Sequence, residues 1–216
     1  MTIAEDRAVA IARAGGGRRL DTLANKVTAG RFVLACVLFF FLERLAGLAP
    51  ERAAGTALVA WVLFVVAAVT DILDGWLARR RSESSALGRI ADPVVDKVLV
   101  CGSFAFLAVA PATRDFVPAL VVVAVLAREF LVTTLRGFVE SRGVPFPADR
   151  AGKMKMGVQC FAIGSVLFRP FTPEPFVEPV AWIARAAIVV AVGLTLYSAG
   201  SYLWKARSFF AGEGPP

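Results

Sequence analysis

Six apolar runs constrain this chain more than any other feature. They cover about 27–48, 53–76, 92–110, 116–139, 154–168 and 180–204. A helix needs about 20 apolar residues to cross a bilayer, and five of the six runs are near that length. Within lipid each backbone N–H and C=O must be paired inside its own segment, so an isolated run of this kind can only be helical. Hydrophobic residues make up 57% of the chain, against about 45–50% for a soluble domain, and the excess falls in these runs. The expected fold is therefore all-α, a polytopic membrane protein with six transmembrane helices. Little chain is left for a separate soluble domain. The expected organisation is a juxtamembrane segment over 1–26, a membrane domain over 27–204 and a tail over 205–216.

Basic residues orient the runs. The first segment carries Arg7, Arg13, Arg18, Arg19 and Lys26. The second connection carries Arg79, Arg80, Arg81 and Arg89, the fourth Arg142, Arg150, Lys153 and Lys155, and the end Lys205 and Arg207. The other connections hold only Arg44, Arg52, Arg114 and Arg169. Cytoplasmic loops carry the excess of Lys and Arg, so both termini are expected in the cytoplasm of a cell whose inner membrane holds the chain. The net charge of +7 follows from that topology and favours anionic lipid head groups. Nucleic-acid binding is not expected, because no basic patch sits on a soluble domain. The first 19 residues do not read as a signal peptide, since arginines interrupt their apolar residues. Ile3, Val9 and Ile11 with Arg7 and Arg13 suit either a short surface helix ended by Gly15-Gly16-Gly17 or an unstructured tail.

At the junction of the second and third runs lies D-I-L-D-G-W-L-A-R-R-R-S-E-S-S-A-L-G-R-I-A-D-P-V-V-D, from Asp71 to Asp96. An ionised carboxylate at membrane depth costs about 2.5–3.5 kcal/mol or more, so four in one window demand counter-ions. Asp71 and Asp74 are three apart and share a helix face with Gly75 and Ala78; Asp92 and Asp96 are four apart, with Gly88 four before. Packed together, the two stripes would form a carboxylate cage; the alternative is an ion-pair cluster. Such cages suit hard cations, Mg²⁺, Mn²⁺ or Ca²⁺, and a pair of ions can clamp both oxygens of a phosphoryl displacement. The neighbouring arginines either attract phosphates or only mark the cytoplasmic side. The chain has no histidine, which removes the commonest general base and metal ligand. Cys36, Cys101 and Cys160 stand apart in apolar runs, so neither a disulfide framework nor a zinc site is expected.

The fourth run carries a second polar set. Glu129, Thr133 and Arg136 recur on one helix face, with Val132 among them and Arg128 and Thr134 beside them. Arg and Glu this deep in an apolar run should point into the protein. With Lys153 and Lys155 at the start of the fifth run, Arg128 and Arg136 can form a pocket for a small anionic substrate. Alternatively, Arg128 and Glu129 are a structural pair and the lysines mark topology.

The pattern Asp71-x2-Asp74-Gly75-x2-Ala78-Arg79-x8-Gly88-x3-Asp92-x3-Asp96 resembles the full signature of the CDP-alcohol phosphotransferases. That resemblance implies six transmembrane helices, two divalent metal ions on the four aspartates, and a cytidine diphosphate-linked donor bound near Gly75, Ala78, Arg79 and Gly88. It implies that Asp96 activates the acceptor hydroxyl, and that the protein is a homodimer. Asn25-x-x-Thr28-x-x-Arg31 resembles the first-helix motif of the family, with Ala24 where a proline is usual, and adds Asn25 and Thr28 to the donor site. Asp92-Pro93 through Asp96-Lys97, Ala127-Arg128-Glu129 with Leu135-Arg136, and Gly152-Lys153-x-Lys155 resemble the phosphatidylglycerophosphate synthase branch. The implied reaction joins CDP-diacylglycerol and glycerol 3-phosphate, giving phosphatidylglycerophosphate and CMP. An inositol phosphate, phosphatidylglycerol or another alcohol is the alternative acceptor. A cation transporter is the alternative of another class, but it should carry polar or broken helices at the midplane, and these aspartates lie at the ends of runs.

Overall fold

A computed structural model describes residues 23–81, 86–142 and 150–210. Among them it has six long helices and no strand: α1 (Leu23–Ala46), α2 (Ala54–Arg81), α3 (Ala86–Val109), α4 (Ala119–Ser141), α5 (Arg150–Phe168) and α6 (Val177–Phe210). Each apolar run became one helix. The third helix starts earlier than its run, because Ala86 to Ala91, which include Gly88 and Arg89, are already helical. Pro93 sits inside α3, eight residues into the element rather than in its first turn.

Neighbouring helices form a closed ring. α1 packs on α2 and α3, α2 on α5, α5 on α6, α6 on α4, and α4 on α3; a contact of α3 with α5 fills the middle. Helices α1, α3 and α5 enter, and α2, α4 and α6 leave, at one end of this ring.

Each buried face follows helical spacing. On α1 it is Thr28, Arg31, Ala35, Leu38, Leu42 and Leu45; on α2 it is Ala53, Ala57, Ala60, Phe64 and Ala67. On α6 it is mostly Ala181, Ala184, Ala187, Ala191, Thr195 and Ser198. Small residues at these positions let helix axes approach closely. Gly102 of α3 meets the Phe39 ring of α1, where an added Cβ would lie 2.5 Å from the ring edge. The end away from the site is closed by Trp61, Phe168 and Phe171, whose rings lie 4.8–6.0 Å apart.

The surface is more apolar than a water-facing one should be. Phe40, Leu120, Phe130, Trp182, Val189 and Leu196 are all more than half exposed, while Arg31, Arg128, Lys155, Gln159 and Ser198 are buried. Exposed apolar area on this scale marks a surface for lipid or protein. Two helices, over Ala54–Asp71 and Val177–Arg207, are long and apolar enough to cross a membrane.

Candidate active site

Arg31 is the centre of the acidic half. It continues the buried stripe of α1 beyond Ala35 and is only 6% exposed. Asp71 continues the alanine stripe of α2, four residues past Ala67, and Asp96 lies on the inner face of α3, before Leu99 and Val100. The Arg31 guanidinium nitrogen Nη2 is 2.8 Å from Asp71 Oδ1 and also donates to Asp96 Oδ1. The cage was expected from direct packing of the two aspartate stripes. Among the described residues Asp71 of α2 and Asp96 of α3 do converge, and Arg31 of α1 bridges their carboxylates; the rest of both stripes lies outside the described side chains. Two negative groups brought this close would repel strongly without a cation between them.

The basic half is built by α4, α5 and α6. Arg128 is buried, Glu129 nearly so, and Lys155 is buried on the stripe that continues through Gln159 and Ala162. Glu129 Oε1 accepts from Lys155 Nζ and lies 3.1 Å from Arg128 Nη1. Arg128 Nη2 donates to Ser198 Oγ at 2.6 Å, and the guanidinium sits 5.7 Å from the Tyr202 ring centre. Arg128 Nε is buried without a hydrogen-bond partner. Such an N–H is a donor ready for an anion, since leaving it unpaired costs about 1–3 kcal/mol. Lys97 Nζ donates to Thr133 Oγ1, and Thr133 in turn donates to the Glu129 carbonyl at 2.6 Å. Lys97 thus ties the residue beside Asp96 to the backbone that carries Glu129.

The two halves are joined through the contact of α3 with α5 and through Lys97, which follows Asp96 on α3 and bonds Thr133, one turn from Glu129 on α4. Carboxylate oxygens are the donors a hard divalent ion takes; the described ones of the expected set, on Asp71 and Asp96, come from different helices and converge on Arg31, and among the described residues no group of three or more such side chains stands together.

Several expected site residues lie outside the described side chains: Asn25, Asp74, Gly75, Ala78, Arg79, Gly88, Asp92 and Lys153. Thr28 is buried one turn before Arg31. Arg136 stands two turns beyond Arg128 on α4, is 39% exposed, and lies 3.6 Å from Glu140. The inner face of α4 is Val125, Arg128, Val132, Leu135 and Val139. It is centred on Arg128, and Glu129 reaches in from its edge. Spacing alone gave no partner for Arg31, Lys97 or Ser198. For Arg31 the signal was present, because its stripe points a buried guanidinium at whatever carboxylates face it.

The sequence matches the model of the CDP-alcohol phosphatidyltransferase family over residues 21–197. It is 34% identical over 191 residues to a protein of Mycobacterium tuberculosis named probable phosphatidylglycerophosphate synthase, a match covering 88% of this chain and 84% of that one. It is 30% identical over 182 residues to the CDP-diacylglycerol–glycerol-3-phosphate 3-phosphatidyltransferase of Bacillus subtilis, covering 78% and 90%. The protein of the same name from Rickettsia typhi is 30% identical over 199 residues, covering 88% of this chain and 100% of its own.

Proposed function

The chain belongs to the CDP-alcohol phosphatidyltransferase family, and from that premise we propose that it transfers the phosphatidyl group of CDP-diacylglycerol to glycerol 3-phosphate, releasing CMP and forming phosphatidylglycerophosphate. The observation that carries this reading is the pairing of two opposite half-sites on one interior. Asp71 and Asp96 gather around Arg31, Arg128 and Lys155 gather around Glu129, and Lys97, next to Asp96, bonds Thr133 one turn from Glu129. A diphosphate donor that needs cations and a phosphorylated acceptor that needs basic groups are the two ligands such a site suits. The names of the relatives favour glycerol 3-phosphate as the acceptor.

In this reading Arg128, Arg136, Lys153 and Lys155 hold the acceptor phosphate through charge-assisted hydrogen bonds. Asn25, Thr28, Gly75, Ala78, Arg79 and Gly88 seat the donor, the glycines leaving room for it beside the backbone. The acceptor hydroxyl oxygen attacks the lipid-side phosphorus in line. A new P–O bond forms there, the bond from that phosphorus to the CMP oxygen breaks, and Asp96 takes the hydroxyl proton. Asp71, Asp74, Asp92 and Asp96 would hold two divalent ions, Mg²⁺ or Mn²⁺, which when bound neutralise the diphosphate charge. Arg31 keeps two of these carboxylates gathered.

The chain acts as an integral protein of the inner membrane, with six spans in residues 27–204, cytoplasmic segments at 1–26 and 205–216, and the site facing the cytoplasm as part of a homodimer. Three observations support that placement: the exposed apolar residues of every helix, the basic connections at the site end, and the position of Asp71, Asp96 and Lys155 toward that same end of their helices. CMP release from CDP-diacylglycerol, measured with a panel of alcohol acceptors, tests the reading. Glycerol 3-phosphate should be the preferred acceptor, and equal rates with glycerol or inositol would refute it.

A further inference from the structure

Glu129 lies in the pocket that the reading above gives to the acceptor phosphate, yet it is an anion. Its Oε1 accepts from Lys155 Nζ and is 3.1 Å from Arg128 Nη1. All three side chains are nearly buried, at 7%, 12% and 8% exposure for Lys155, Glu129 and Arg128. The cluster therefore has one positive charge in excess, not two. The Glu129 backbone carbonyl is held by Thr133, which itself accepts from Lys97, while its carboxylate lies between Arg128 and Lys155. Arg128 has further anchors in Ser198 and Tyr202, so it stays in place if Glu129 moves away. Its unpaired Nε offers one more donor to whatever takes the place of the carboxylate.

We propose that Glu129 is a resident anion of the acceptor pocket, displaced from Lys155 when the acceptor phosphate binds, and that it thereby determines specificity for a dianionic acceptor. The proposal rests on the acceptor reading of this pocket. A phosphate monoester carries close to two negative charges at neutral pH and offers three acceptor oxygens, so it outbids a single carboxylate for Lys155 and Arg128. A monoanion of similar size brings no more charge than Glu129 does, and gains nothing by replacing it. A pocket with two unopposed cations would bind both kinds of anion; discrimination comes from the occupant that a weak ligand fails to displace.

The test uses the purified full chain in detergent, with inorganic phosphate as the dianionic probe and dimethyl phosphate as the monoanionic one, both titrated calorimetrically. The wild type should bind phosphate at least about tenfold more tightly than dimethyl phosphate. In Glu129→Gln dimethyl phosphate should gain at least about tenfold, and the discrimination should shrink. Glu129→Asp, which withdraws the carboxylate by one methylene and keeps its charge, should gain in the same direction by less, and it decides the matter if Glu129→Gln does not fold. Weaker phosphate binding in either variant, with discrimination unchanged, would mean that Glu129 only positions Lys155, and would overturn the proposal. CMP release by the wild type with glycerol 3-phosphate separates the two levels. If that activity is present and the probes ignore Glu129, only the resident-anion proposal fails; if neither phosphate binding nor acceptor-dependent release is found, the acceptor reading fails with it.

Discussion

Replacing Arg31 by methionine should be among the most damaging single changes in the bundle. The side chain is 6% exposed and bridges Asp71 and Asp96, which are 23% and 25% exposed. Methionine fills much of the same volume but removes the charge, leaving two carboxylates to face each other across α1. Breaking a buried ion pair costs about 3–5 kcal/mol, and the partial exposure of both aspartates favours the lower end, about 3 kcal/mol. For a chain of this size that lowers the melting temperature by about 6–12 °C. Thermal unfolding in detergent with a chelator present measures it. The triple variant Arg31→Met/Asp71→Asn/Asp96→Asn should return to within about 1 kcal/mol of the wild type, because no uncompensated charge remains. Excess Mn²⁺ should narrow the gap for the single variant by supplying the missing positive charge. A loss under about 1 kcal/mol in the single variant, or a triple variant no more stable than the single one, would refute the reasoning.

Three further outcomes are expected. Lys155→Met should raise the KM for glycerol 3-phosphate at least about tenfold while leaving the KM for CDP-diacylglycerol within about twofold, because it removes one charged hydrogen bond from the acceptor alone; steady-state kinetics in mixed micelles separates the two. Gly102→Leu should destabilise by about 1–3 kcal/mol through its clash with the Phe39 ring, and Phe39→Ala in the same chain should recover part of that loss in thermal unfolding. In a variant without the native cysteines, a Ser84→Cys substitution should react with an impermeant thiol reagent only after the membrane is opened; labelling of intact spheroplasts contradicts the topology.

The helices were legible because burial in apolar surroundings leaves a one-dimensional trace. Every run of the sequence corresponds to one helix, with ends shifted where flanking segments such as Ala86–Ala91, interrupted by Gly88 and Arg89, are also helical. The depth of Arg128 and Glu129 was legible too, because charges in an apolar run have only the interior to turn to, and both are nearly buried. Partners were not legible. Spacing says which residues share a face of one helix, but not which helix lies opposite. Helical spacing put Asp71 and Asp96 on facing stripes of α2 and α3, and their carboxylates do meet, but the spacing did not show that Arg31 of α1 would stand between them. In the same way Ser198, on the last helix, reaches Arg128 across a separation of 70 residues, and no local pattern announces it. For Arg136 the register with Glu129 was legible, but its ion pair with Glu140, one turn further along α4, was not singled out by the pattern.

The most direct measurement of the central claim is CMP release from CDP-diacylglycerol by the purified protein with Mg²⁺ or Mn²⁺, with and without glycerol 3-phosphate, in the wild type and in Asp96→Asn. The account predicts release that depends on the acceptor, stops with a chelator, resumes on adding the metal, and is lost in Asp96→Asn. Release that ignores glycerol 3-phosphate, or full activity in Asp96→Asn, would contradict it.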